Sequence, residues 1–254
     1  MDRLNYRVDP DGRLSFELLR SPVVCHAVFN RHGGVSPPPW DSRSVSFGLG
    51  DDPENVLENR QRLKKVLGIK RLVSAHQVHD AKIHVVQDSP PDDLEIEGFD
   101  ALVTNVAGVG LLIQQADCQA VLLFDPVKKV IGIVHVGWRG SVAGIISATI
   151  STMNSIFSTE AVDLQAAISP SLGPCCAEFV NFQTELPRSF HGYQVRPNYF
   201  DFWAISRDQL CGAGIRPVNI SIAGICTYCN SNYFSYRRDR ETGRFASVIG
   251  LVDK

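Results

Sequence analysis

The chain has 254 residues, of which 44% are hydrophobic and 20% charged, and its formal net charge is −2. These values are typical of a globular protein of one or two domains and argue against a disordered chain. The near-neutral charge does not suit a general nucleic-acid binder. No apolar run is long enough to span a membrane, and the first residues lack the apolar core of a signal peptide. We therefore expect a cytoplasmic protein without nucleic-acid or membrane partners.

The first half of the chain predicts one helix and four strands. Residues 30–44, rich in Gly, Pro and Ser, predict a loop. In 51–69, Asp51 or Asp52 can cap a helix that has Pro53 in its first turn. The predicted apolar face of this helix comprises Val56, Leu57, Leu63, Val66 and Leu67. Two short strands around a polar middle follow in 71–86, and two further strands are predicted in 98–105 and 109–118.

The second half begins with the clearest unit, a hairpin over 119–136 that turns at Asp125–Pro126. A helix is predicted over 140–157, with Val142, Ile145, Ile146, Thr149, Met153 and Ile156 on one face. A helix over 201–215 and a strand over 218–226 follow. Frequent hairpins among helices favour an α+β fold of mixed sheets layered with helices, in a single domain over 1–254. No Gly-rich nucleotide fingerprint follows any strand.

Three residues are the best candidates for a metal site: His79, Cys118 and His135. The midpoint of 118 and 135 falls at the predicted turn, so the hairpin can bring these two side chains together. Two imidazoles and a thiolate suit zinc, and three protein ligands leave a fourth position open for water or substrate. The spacing alone also fits a core histidine and a buried cysteine. His76 is the reserve ligand, but in a strand it would face away from His79, which we prefer because it adjoins Asp80.

Arg139 follows the hairpin between Gly137 and Gly140, at the predicted start of a helix. Unpaired N–H groups at a helix N-terminus and a guanidinium beside them suit a phosphate or carboxylate. An ordinary surface arginine on a glycine-lined loop is the alternative.

The run SYRRDRETGR at 235–244 contains four arginines, and aromatic residues precede it that could stack on a planar base. The charges are of both signs, so the run also fits a solvated hairpin tip at Thr242–Gly243.

Seven cysteines, an odd number, favour free thiols or metal ligands over a disulfide framework. Cys175 and Cys176 in GPCC and Cys226 and Cys229 in CTYC could form a four-thiolate site. We favour buried thiols, since adjacent cysteines chelate one metal poorly.

The blocks QVH (77–79), FDALVT (99–104), ADCQAVLLFDP (117–126), HVGWRG (135–140), SPSLGPCCAEF (169–179) and CTYCNSNYFSYRRDRETGR (226–244) resemble the laccase-domain family. This family is also called YfiH-like or multicopper polyphenol oxidase, and its members are known as zinc-dependent purine nucleoside phosphorylases. FNRHGGVS and GDDPENVLENRQRL also fit, so the resemblance spans nearly the whole chain. It implies a single-domain α+β fold of mixed sheets between helices.

The resemblance implies that His79, Cys118 and His135 bind zinc, with copper the second choice, and that these residues and Arg139 are catalytic. It implies substrate-binding roles for Ser46, Arg60, Arg237, Arg238 and Arg244. Two positions depart from the family pattern: Val136 stands where alanine is common, and Ser46 where many relatives have asparagine.

The implied reactions are phosphorolysis of adenosine, inosine, guanosine and methylthioadenosine, and deamination of adenosine, so the partners are purine nucleosides and phosphate. The alternative from another class is a cysteine hydrolase or amidase with Cys118 as nucleophile and His135 as base, suited to peptidoglycan-precursor editing. A zinc-stabilised binding module stays open. Seven histidines without an H-x-H pair argue against a multicopper oxidase. The sequence indicates no oligomeric state.

Overall fold

The computed structural model describes residues 5–253, in which two large sheets lie face to face. The strands in chain order are β1 (Tyr6–Val8), β2 (Leu14–Phe16), β3 (Val24–Val28), β4 (Arg71–His76), β5 (Ile83–Val86), β6 (Leu94–Glu97), β7 (Ala101–Thr104), β8 (Val109–Gln115), β9 (Gln119–Asp125), β10 (Val130–Val136), β11 (Gln165–Ile168), β12 (Gln194–Arg196), β13 (Tyr199–Phe200), β14 (Ile220–Ile222) and β15 (Phe245–Leu251). The α-helices are α1 (Pro53–Leu67), α2 (Trp138–Val142), α3 (Ile145–Phe157), α4 (Phe182–Glu185), α5 (Phe202–Gly212) and α6 (Tyr236–Asp239). Within 5–253 none of these helices has the length and apolar character needed to cross a membrane.

Both large sheets mix parallel and antiparallel pairs. The first has seven strands in the order β1-β2-β3-β15-β8-β4-β6, and the second has six in the order β14-β11-β9-β10-β7-β5. In the first sheet β4 runs parallel to β6 and β8; in the second, β5 is parallel to β7 and β11 to β14. The predicted α+β fold with mixed sheets and helices is confirmed.

The order of the layers is shown by which side chains of each sheet pack against the other sheet and which pack against a helix. Side chains of both sheets meet in the central core, for example Leu111 and Ile249 from the first and Leu122 from the second. Helix α1 covers the outer face of the first sheet through Leu63, and α3 covers the outer face of the second through Met153. The order is therefore helix, sheet, sheet, helix, and the inner strands are apolar on both faces because both faces are buried.

The helix predicted at 51–69 is confirmed: the Asp52 side chain caps it on the Glu54 N–H, and it ends at Gly68 with φ 67°. Its predicted apolar face is partly wrong. Leu57 and Val66 are each 49% exposed. The buried positions between Val56 and Leu63 are polar instead: Asn59 and Arg60 donate to backbone carbonyls of 42–45, at the end of the loop predicted over 30–44. The helix packs on that loop as well as on the sheet, which periodicity alone does not reveal.

The single helix predicted over 140–157 is wrong, because the chain forms α2 and α3 with a break at Gly144. That residue has φ 77°, a left-handed conformation that ends one helix before the next begins. Val142 and Ile156, placed on the buried face by prediction, are 40% and 53% exposed. Strand β15 was not predicted, although all seven of its residues are buried between β3 and β8.

We predict that His26 on β3 makes stability fall in mild acid. Its Nε2 accepts the Phe16 N–H at 2.9 Å, and burial lowers the His26 pKa from 6.5 to about 4. As the pH falls below 6.5, His26 becomes protonated in the unfolded chain but stays neutral in the folded chain. Stability is therefore lost from pH 6.5 down to about pH 4. Lowering the pH from about 7 to about 5 should therefore reduce the free energy of unfolding by about 2 kcal/mol through His26.

Urea unfolding at the two pH values measures this loss. The matched variant is His26→Gln, whose amide oxygen can accept the same N–H without titrating. A loss equally large in the variant would contradict the assignment.

Candidate metal centre and active cavity

The hairpin formed by β9 and β10 brings Cys118 and His135 to the same place. The Asp125 side chain accepts the N–H groups of Val127 and Lys128 at 2.8 and 2.9 Å and closes the turn. The register pairs His135 with Ala120, and Cys118 lies two residues before Ala120, directly ahead of β9. Both side chains fall on the face that looks toward the other sheet, where the gap between the sheets opens. The predicted hairpin and its geometry are confirmed.

His79 reaches the same point from the loop after β4. It has φ 61°, a left-handed conformation that costs a non-glycine residue of order 1–3 kcal/mol and that persists only where its surroundings hold it. The holding group is the carboxylate of Asp100, which accepts the N–H groups of Val78, His79 and Asp80 at 3.2, 2.9 and 2.9 Å. Asp100 also bonds His135 Nδ1 at 2.8 Å.

The three side chains form a compact ligand set. Their donor atoms lie within 4.8 Å of one another, and Cys118 Sγ is 4.0 Å from His79 Nε2. Because Asp100 fixes Nδ1 of His135, its Nε2 is the nitrogen left for a metal. A Cβ on Gly137 would lie 3.0 Å from the His79 ring and 3.3 Å from Cys118 Sγ, so the glycine leaves room for the cluster. The residues fit a tetrahedral ion with one open position.

The groups of this cluster shift one another's pKa values. Burial raises the pKa of the Cys118 thiol, but the positive charge and hydrogen bonds of His135 and His79 outweigh it and lower that pKa to about 6. Burial lowers the pKa of His135, yet the Cys118 thiolate and Asp100 together raise it to about 9. Burial also raises the pKa of Asp100, and its hydrogen bonds from His135 and the 79–80 backbone lower it below the ordinary value. The neighbouring imidazoles therefore favour the thiolate form of Cys118.

The three ligands line one cavity of 690 Å³, a size suited to a small organic ligand. Its walls carry aromatic and apolar side chains, including those of Phe47, Trp138, Phe179, Phe202 and Tyr236. The arrangement can hold a flat apolar body against the rings and a polar group near the ligand cluster.

Three of the predicted substrate-binding residues line this cavity: Ser46, Arg237 and Arg244. Arg237 donates to Glu178 O at 3.1 Å, and Arg244 donates to Thr242 O and Gly243 O at 2.9 and 3.1 Å. Burial lowers the pKa of Arg244 from its ordinary value. His76, the reserve ligand, also lines the cavity, but its Nδ1 faces Glu97 at 2.8 Å and it is not part of the ligand cluster.

The structure does not bring the other three arginines into the cavity. Arg139 is exposed and its guanidinium stacks on the Trp138 ring at 4.2 Å. Arg60 is buried, bonds Val45 O, Ser74 and Glu95, and stacks on the Phe47 ring at 4.5 Å, so it acts on the cavity by positioning Glu95 and Phe47. Arg238 donates to Thr227 O, Tyr228 O and Tyr233 O. The hairpin tip expected at Thr242–Gly243 is wrong, since α6 and a loop with a buried Thr242 occupy 236–244.

Sequence reasoning missed two carboxylates. It favoured Asp80 as the neighbour of His79, but the Asp80 side chain bonds Ala81 N and the orienting acid is Asp100, in the quoted block FDALVT. Asp117, with φ 89°, precedes Cys118 and accepts the Thr227 hydroxyl at 2.7 Å and the Arg237 N–H at 2.6 Å. The prediction of buried thiols is wrong for Cys175 and Cys229, which are exposed, and confirmed for Cys226; the four sulfurs cluster with one another.

The sequence and the fold both resemble known proteins. The family described as "Multi-copper polyphenol oxidoreductase laccase" matches residues 25–252. The chain is 33% identical to "Purine nucleoside phosphorylase ORF3" of Streptomyces griseus, over 91% of this chain and 97% of the relative. It is 31% identical to "Purine nucleoside phosphorylase YlmD" of Geobacillus stearothermophilus, over 87% of each chain.

Solved structures agree with these sequence matches. The crystal structure of YlmD from Geobacillus stearothermophilus superposes with a TM-score of 0.89 at 29% identity, covering 99% of this chain and 100% of the other. The structure of the Bacillus licheniformis hypothetical protein YfiH gives 0.87 at 27% identity, covering 97% and 98%. The resemblance read from the motifs is confirmed, and the chain belongs to the laccase-domain family, described as multi-copper polyphenol oxidoreductase laccase.

Proposed function

We propose that this chain is a zinc-dependent purine nucleoside phosphorylase acting on adenosine, inosine, guanosine and methylthioadenosine, and that it also deaminates adenosine. The observation that carries the proposal is the convergence of His79, Cys118 and His135 in a cavity that also holds aromatic walls and two arginines. The relatives named purine nucleoside phosphorylase support the same class of reaction.

The cavity contents match the parts of a nucleoside and a phosphate. The rings of Phe47, Trp138, Phe179 and Tyr236 suit a purine base, which is flat and largely apolar on its faces. Arg237 and Arg244 are the cations of the cavity wall beside Asp117 and Cys118, and a guanidinium binds phosphate with two parallel hydrogen bonds. Many relatives have asparagine at position 46. Here the Ser46 hydroxyl would make the ribose or base contact in place of that side-chain amide.

Phosphorolysis would form a bond from a phosphate oxygen to C1′ of ribose and break the bond from C1′ to the purine nitrogen. The products are ribose 1-phosphate and the base, which takes up a proton. Arginines that hold the phosphate in line with C1′ would act by positioning and by neutralising charge. Deamination would replace the adenosine amino group with oxygen from water and release ammonia.

The ligand set fits zinc because two imidazoles and a thiolate are its common partners and leave the fourth position to the cavity. When bound, zinc would supply a Lewis acid that polarises a water or a purine atom. Three ligands, only two of them histidines, do not suit a multicopper cluster. Seven free cysteines fit the reducing cytoplasm, where we expect the reaction to take place.

The second candidate function is the cysteine hydrolase. One observation favours it: the lowered pKa of Cys118, about 6, and the raised pKa of His135, about 9, describe the thiolate and imidazolium pair that such enzymes use. A zinc ligand must also be a thiolate, so the pKa of Cys118 does not separate the two functions. Removal of the metal does: it should abolish phosphorolysis but leave a cysteine hydrolase active.

We predict that Arg244→Gln raises the KM for phosphate at least roughly tenfold, the effect of losing one charge-assisted hydrogen bond, while the KM for inosine changes little. Steady-state assays of hypoxanthine release with varied phosphate measure both constants. The control is Arg216→Gln, an exposed arginine outside the cavity lining. Release of hypoxanthine at an equal rate without phosphate would refute phosphorolysis.

We predict that Asp100→Asn weakens zinc binding by about ten- to 100-fold, the usual effect of losing a carboxylate behind a histidine ligand. The amide NH₂ would face N–H donors from the 78–80 backbone or from His135 and would release the loop that carries His79. Competition with a fluorescent chelator measures the affinity. The control Asp80→Asn changes an exposed neighbouring carboxylate and should bind zinc as before.

We predict that the rate of Cys118 alkylation by iodoacetamide in chelator-treated protein rises with pH through a midpoint near pH 6. The lowered pKa makes the thiolate, the reactive form, predominate above that pH. Peptide mass spectrometry resolves Cys118 from the other cysteines. Added zinc should block the alkylation and restore phosphorolysis. Turnover that survives chelation and is abolished by alkylation would favour the hydrolase instead.

A further inference from the structure

A second cluster of ligand atoms lies outside the cavity lining. The Sγ atoms of Cys175, Cys176, Cys226 and Cys229 all lie within 4.8 Å of one another. Cys229 Sγ is 3.7 Å from Cys175 Sγ and 3.5 Å from Cys176 Sγ. With Zn–S bonds of about 2.3 Å, the sulfurs of a tetrahedral site lie roughly 3.8 Å apart. The two distances from Cys229 therefore match a tetrahedral four-thiolate site, and no pair of the four sulfurs is more than 4.8 Å apart.

The two turns that carry these cysteines are built against each other. Cys176 N–H and Ala177 N–H both donate to Gly173 O at 2.9 Å, and this tight turn gives the adjacent cysteines a common direction. Gly173 N–H donates to Cys226 Sγ at 3.3 Å, a bond that favours a thiolate. A Cβ on Gly173 would lie 3.0 Å from Cys226 Cβ, so the close approach of the turns requires glycine there.

Two arginines lie beside the cluster, and one of them is also paired with an acid: Arg238 Nη2 is 2.7 Å from Asp239 Oδ2. The Arg196 guanidinium donates to Cys175 O at 2.9 Å. Arg238 donates to Thr227 O and Tyr228 O, the two residues between Cys226 and Cys229, at 2.8 and 3.1 Å. One divalent ion held by four thiolates carries a net charge of −2, and the Arg196 guanidinium beside Cys175 offsets part of that charge. Neither arginine lines the cavity, and Arg238, for which the resemblance implies substrate binding, instead holds the turn between Cys226 and Cys229.

We propose that Cys175, Cys176, Cys226 and Cys229 form a closed structural zinc site. Four sulfur ligands leave no open position, in contrast to the three-ligand centre in the cavity. The proposal does not depend on the proposed function, since it uses different residues. The site would also support the cavity, because Thr227 lies between Cys226 and Cys229. Its hydroxyl donates to the carboxylate of Asp117, the residue before Cys118.

The test is metal content by mass spectrometry on full-length protein purified under reducing conditions with zinc. We expect two zinc ions per chain in the unmodified protein, one in Cys229→Ser and two in Cys211→Ser, a matched change at a cysteine outside the cluster. Cys118→Ser should also retain one. One zinc in the unmodified protein and one in Cys229→Ser would overturn the proposal.

A measurement without a cluster mutation covers the case in which Cys229→Ser does not fold. Cobalt added to metal-free Cys118→Ser under reducing conditions should give the intense visible and thiolate charge-transfer bands of a tetrahedral four-sulfur site. Absence of these bands would refute the site, as would iron instead of zinc in the purified protein. A mass lower by two hydrogens that returns on reduction would identify a disulfide at Cys229 and likewise overturn it.

Discussion

The carboxylate of Asp100 is the group on which the geometry of the metal centre depends. It is fully buried, and a buried charge is stable only when it is paired and hydrogen-bonded. Three successive backbone N–H groups of 78–80 and His135 Nδ1 provide those partners. The same bonds hold His79 in its left-handed conformation and orient the His135 ring. One acid thus ties a loop of the first sheet to a strand of the second and sets the separation of two ligands.

The two sheets explain why these ligands meet at a cavity rather than in the core. Along β10, Ile131 and Ile133 point into the space between the sheets, and His135 follows on the same face. At that point the neighbours of the strand are His79 and Cys118 rather than apolar core side chains, and both lie close to Gly137. The buried imidazole is therefore stable at the end of an apolar strand because Nδ1 is paired with Asp100 and the ring borders the cavity.

Local sequence patterns predicted the parts of the site that depend on short-range geometry. The hairpin of β9 and β10 and the pairing of Cys118 with His135 need only a turn and a register. Asp100 and the cluster of four cysteines were not predicted correctly because their contacts join segments far apart in the chain. Arg139 was misplaced for a local reason: its side chain packs on the neighbouring Trp138 ring, so the helix start that carries it does not direct it inward.

The cavity and the cysteine cluster share one support, and this links their stabilities. Asp117 is left-handed at φ 89° and precedes a metal ligand, so it too must be held by its surroundings. Its carbonyl accepts the Leu172 N–H at 2.8 Å, while its carboxylate accepts the Thr227 hydroxyl and the Arg237 N–H. Leu172 and Thr227 belong to the two segments that carry the four cysteines. A loss of order in those segments would therefore release Asp117, move Cys118 and displace Arg237 from the cavity wall together.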